Sequence, residues 1–98
     1  MIEYSSNIKL IEEAINQLRP GIALEYLILS LSANGKSKTE IYSFFTKYYL
    51  ENNETKDYLK IEEKHGDHPI EIAMDCLWGY CRVEDRILPN ESIDRTKL

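Results

Sequence analysis

No stretch of this chain is both long and apolar enough to cross a bilayer: the richest, Ile22 to Leu31, is interrupted by Glu25 and Ser30 and is too short. The first residues, Met1-Ile2-Glu3-Tyr4, lack the basic start and the apolar run of a secretory signal, so a cytoplasmic location is expected. Basic residues are also scarce. A net charge of -5 excludes the lysine- and arginine-rich footprint that phosphate binding demands, and no nucleic acid partner is expected. Cysteine is limited to Cys76 and Cys81, which are read as reduced thiols on different faces of one helical stretch. No segment alternates as a strand would, and there is no internal repeat, low-complexity tract or recognisable cofactor motif.

What remains is enough apolar material, 43% of 98 residues, for one core without metals or cross-links. The expected architecture is all-α, a compact bundle of about four to six helices in a single domain over 1–98, with 90–98 a frayed polar tail. Ser5 or Ser6 is placed to cap a first helix carrying Ile8, Ile11, Ile15 and Leu18 at helical spacing, beside Ala14. Pro20 suits the first turn of a second helix that is apolar nearly all round, as a helix central to a bundle would be; Asn34-Gly35 ends it.

The sharpest local signal is Ser37-Lys38-Thr39-Glu40, a capping box that starts a third helix at Lys38. Ile41, Phe44, Phe45 and Tyr48 form its buried stripe, Tyr42 and Tyr49 a neighbouring flank, and Asn52-Asn53 its end. Beyond a thinly apolar stretch from Glu54 to Lys64, His65-Gly66-Asp67-His68-Pro69 reads as a break and a new start. Ile70, Ala73, Met74, Leu77 and Cys81 then line a last helix with Trp78 at its edge, Gly79 weakening it and Val83, Ile87 and Leu88 extending it.

Three chemistries are weighed and set aside. His65, Asp67, His68, Asp75 and Cys76 are of metal-binding types, but their spacing is that of a polar turn, so no metal is expected. Neither cysteine has a legible base, orienting group or oxyanion site, and no catalytic residue is assigned. Lys36, Lys38 and Lys47 are too few for a helix-turn-helix surface.

Charge distribution and tyrosine content point elsewhere. The segment from Glu51 to Asp75 holds eight acids and three bases, and the chain has seven tyrosines, side chains that give an interface apolar area with a polar tip. Acid interleaved with tyrosine suits a basic protein partner. The contact is placed on Glu51, Glu54, Asp57, Tyr58, Glu62, Glu63 and Asp67, with Tyr49 and Tyr80 as aromatic anchors; the Tyr42 and Lys47 flank of the third helix is the alternative.

The aromatic stretch Ile41-Tyr42-Ser43-Phe44-Phe45-Thr46-Lys47-Tyr48-Tyr49 and the acidic run leading to Asp75-Cys76-Leu77-Trp78-Gly79-Tyr80-Cys81, in a small acidic helical chain, resemble the immunity proteins that bacteria make beside nuclease toxins. These include immunity proteins of contact-dependent growth inhibition and of nuclease bacteriocins. The resemblance implies a bacterial cytoplasmic inhibitor that holds a cognate toxin in a tight complex and does no chemistry. A helical adaptor or transcriptional regulator is the alternative reading, and a metal-dependent enzyme using His65 and His68 a weaker one.

Overall fold

A computed structural model describes the backbone of residues 2–56, 58–59 and 68–97, and side chains from Asn7 onward. Among the described residues the chain is all-helical: α1 (Ile2–Ile15), α2 (Pro20–Ala33), α3 (Lys38–Asn52) and α4 (Pro69–Trp78), with short 3-10 turns at Val83–Asp85 and Arg95–Lys97 and no strand. None of these helices is long and apolar enough to cross a membrane.

Each helix buries one stripe into a common core. Ile11, Ala14 and Ile15 come from α1, Leu24, Ile28 and Leu31 from α2, Ile41, Phe45 and Tyr48 from α3, and Ile70, Ala73 and Leu77 from α4, with Ile87 arriving from the segment after α4. These positions recur at three- and four-residue intervals, so the periodicity of the sequence maps directly onto the interior.

The helix boundaries follow from local chemistry. Pro20 occupies the first turn of α2, and Gly35 at φ 95° turns the chain out of it. The capping box at α3 is complete: Glu40 N–H donates to Ser37 Oγ at 3.1 Å and Ser37 N–H donates to Glu40 Oε1 at 3.1 Å. Those bonds from Ser37 hold the Glu40 carboxyl below its ordinary pKa, because they favour the ionised form.

Several boundaries differ from those read in sequence. α1 already starts at Ile2, so Ser5 and Ser6 lie inside it and not at its start. It stops at Ile15, which leaves Leu18 in the connecting turn and 93% exposed instead of on the buried stripe. α4 ends at Trp78, where Gly79 is the left-handed cap (φ 103°) and the Gly79 and Tyr80 N–H groups both donate to Asp75 O at 2.8 Å. Gly79 therefore terminates the helix, and Val83, Ile87 and Leu88 do not extend it.

The segment 90–98, expected to fray, is placed against α3 over its described part. The buried Lys38 ammonium donates to Leu88 O and Glu91 O at 3.0 and 3.3 Å, Lys38 N–H donates to Glu91 Oε1, and Asp94 N–H donates to Thr39 Oγ1 at 2.8 Å. Burial pulls the Lys38 pKa down and the nearby Glu91 charge partly restores it. Leu88, at φ 52°, bends the chain toward these partners.

His68 is wholly buried at the start of α4, where its Nδ1 accepts the Ile70 N–H at 3.0 Å. Acceptance at Nδ1 requires the neutral ring with its proton on Nε2. Its ring lies flat on Tyr58, 3.5 Å between centroids and 3° between planes. Burial lowers its pKa from 6.5 to about 4.

Two stability measurements check these joints. Ser37→Ala should cost about 1 kcal/mol by urea unfolding through loss of the cap; an unchanged midpoint would contradict the capping role. His68 contributes full stability above its unfolded pKa of 6.5 and loses it as pH falls toward about 4, since only the unfolded state binds the proton in that window. The loss should approach about 3 kcal/mol by pH 4. His68→Asn, which keeps a capping acceptor, should flatten that part of the pH profile whatever it does to stability at pH 7. Parallel profiles for the two proteins would show that His68 is not buried neutral.

Candidate functional site

Of the residues proposed from sequence for partner contact, Tyr49, Glu51, Glu54, Tyr58 and Tyr80 are described, and these five do not share one face. Glu51 lies exposed in the last turn of α3 and Glu54 exposed just past its cap. Tyr49 is half-buried, and a two-residue step along a helix turns Glu51 about 200° away from it, so the two address opposite sides of α3. Asp57, Glu62, Glu63 and Asp67 lie outside the described residues, as does His65. Tyr80, 71% exposed beyond the α4 cap, is available as an anchor.

Tyr58 is not available, being only 2% exposed. Thr55 is the cause: its Oγ1 accepts the Tyr58 N–H at 3.2 Å and its carbonyl accepts the Leu59 N–H at 3.0 Å, starting a helical turn that points Tyr58 inward. There it packs edge-on against Tyr49, 6.1 Å between centroids at 74°, and flat on His68.

A different set of side chains does come together. α3 and α4 pack antiparallel along an aromatic seam: Tyr49, Tyr58 and His68 meet at one end, and Tyr42 meets Trp78 at the other, 5.2 Å between centroids. Tyr80 continues the second group at 6.2 Å from Trp78, and the Arg95 guanidinium sits 5.0 Å above the Trp78 ring. Tyr42 and Trp78 are half-buried, so this end of the seam is open to solvent along one edge.

Acidic groups border it. Glu71, Asp75 and Trp78 stand at i, i+4 and i+7 on one stripe of α4, adjacent to the core stripe of Ile70, Ala73 and Leu77. The Tyr42 hydroxyl registers the carboxylate: burial raises its pKa most, and the Asp75 charge raises it further. The open end of the seam thus combines three aromatic rings with exposed Asp75, and half-buried Glu71 continues the same stripe of α4 toward the His68 end. Sequence reasoning counted both acids within the acidic segment yet placed the contact at 51–67; the four-residue spacing of Glu71 and Asp75 leading to Trp78 was the signal that could have found this stripe.

His68 spends Nδ1 on the helix cap, and among the described residues no three His, Cys, Asp or Glu side chains gather as a metal site. Both cysteines are half-buried free thiols. Because α4 ends at Trp78, Cys81 returns beside Cys76 instead of facing away from it. Burial, aided by the contact with Cys81, pushes the Cys76 thiol up to about 11, which keeps it protonated and unreactive at neutral pH.

The chain matches no protein-family profile, and no curated protein or solved structure is significantly similar to it.

Proposed function

We propose that this protein acts by binding another protein, as an immunity protein that neutralises a basic, nuclease-type toxin, and that the open end of the α3–α4 seam is its contact surface. The carrying observation is the cluster of half-buried Tyr42 and Trp78 with exposed Tyr80, bordered by Asp75, with Glu71 further along the same stripe of α4. Rigid aromatic rings supply contact area at little conformational cost, and adjacent carboxylates attract the lysine and arginine side chains of a surface built to hold nucleic acid. Arg95 over Trp78 supports the chemistry from within the chain, since it is a guanidinium held against this same aromatic surface. Covering a substrate groove requires no reaction from the inhibitor. Its specificity rests on placing carboxylates where the toxin would otherwise place phosphates.

Mild purification from the native host should retain a basic protein on the wild-type chain. Glu71→Lys/Asp75→Lys should weaken that complex by about 100-fold, and Tyr80→Ala by about tenfold, with the helical circular dichroism spectrum unchanged. Added salt should weaken the wild-type complex more than that of the reversed variant. Reversal of Glu51 and Glu54, on the other side of the seam, should matter little. Full retention by the Glu71/Asp75 variant, or loss confined to the Glu51/Glu54 variant, would move the contact off the seam.

A further inference from the structure

α2 is apolar nearly all round, yet the fold covers only part of it. Leu24, Ile28 and Leu31 face the core, while Ile22, Tyr26 and Leu29, at i, i+4 and i+7 on the opposite face, are 46%, 70% and 45% exposed. Leu10 on α1 and Leu18 in the α1–α2 turn adjoin this stripe, and with Ile22 and Tyr26 they border a groove of about 620 Å³ between the two helices. Exposed aliphatic and aromatic side chains gathered this way are costly in water and mark an association surface.

The charge of the groove indicates what covers it. Its lining has one acid, Glu13, and one base, Arg19, both exposed, and among the described residues neither forms an ion pair. A surface with one charge of each sign and an otherwise apolar lining is complementary to itself: a two-fold axis through the groove sets Glu13 of each copy against Arg19 of the other, with both apolar stripes between them. The basic partner proposed for the acidic seam finds no net charge here. Glu51, Glu54, Glu71 and Asp75, the described acids of the Glu51–Asp75 segment, do not line this groove.

We infer that the α1–α2 groove is a homodimer interface in which Leu18 and Tyr26 of each copy enter the groove of the other. The paired hairpins then form a four-helix layer, and α2 gains the apolar neighbours that its sequence calls for on every side. Dimerisation through this face leaves the α3–α4 seam of each copy unused.

The test is sedimentation equilibrium of the full chain from about 1 to 500 μM, a range that captures micromolar dissociation constants. A reversible dimer is expected, weakened about 100-fold or more by Tyr26→Lys and by Leu18→Glu, and unaffected by Glu71→Lys/Asp75→Lys. The decisive comparison is a charge exchange: Glu13→Arg alone and Arg19→Glu alone should each weaken the dimer about tenfold, and the double variant should recover wild-type affinity. Recovery cannot come from two variants that merely fail to fold. A monomer throughout the range overturns the inference, as does a dimer indifferent to Tyr26→Lys or a double variant no tighter than the singles. A monomer whose captured host protein is lost on Tyr26→Lys assigns the groove to that protein and likewise overturns it.

Discussion

The flat contact between Tyr58 and His68 determines how α4 meets α3. His68 is buried beneath the tyrosine ring and at the same time caps α4 through Nδ1, so the first turn of the helix is tied to the ring stack. From that fixed end α4 runs antiparallel to α3 and brings Trp78 onto Tyr42 at the other. The arrangement depends on a neutral imidazole. A proton on Nδ1 would abolish the cap and leave a cation in an apolar site, which is why the low pKa of His68 is a property of the architecture as well as of the residue.

Two surfaces result, and electrostatics separates them. The open seam carries aromatic rings beside carboxylates and suits a basic partner, while the α1–α2 groove is apolar with one charge of each sign and suits its own copy. Complementary charge governs encounter at the first, and apolar burial governs affinity at the second. The polar C-terminal segment serves the seam in a different way. Anchored by Lys38 and Thr39, it brings Arg95 over Trp78 and limits how much of that ring a partner can reach.

Features set by neighbouring residues were legible in the sequence. The Ser37–Glu40 box, Pro20 at the start of α2, Gly35 beyond its end and Ile41, Phe45 and Tyr48 of the α3 stripe depend on side chains at most a few positions apart, whereas α2, expected to be buried nearly all round, leaves Ile22, Tyr26 and Leu29 exposed. Gly79 was noticed as a conflict but read as a weak point inside a helix, because a left-handed cap is distinguished from an interior glycine only by where the chain goes next. Tyr58 was assigned to the surface on the acidity of its neighbours, and the stack that buries it joins residues ten positions apart. The docking of 91–97 on α3 spans 53 to 55 positions and has no local signature. A charge count along the chain points to acid and tyrosine, but it does not say which carboxylates share a helical stripe with an aromatic ring, as Asp75 does with Trp78.

Trp78 is the only tryptophan in the chain and stands at the centre of the proposed contact surface, so its fluorescence reports on that surface alone. Titrating the protein with the partner recovered from its native host should shift Trp78 emission to shorter wavelength and protect it from iodide quenching, provided that partner is first made free of tryptophan. Saturation of the complex with the emission maximum and the quenching of Trp78 both unchanged would contradict the account, because a partner that leaves this ring in water does not bind at the seam.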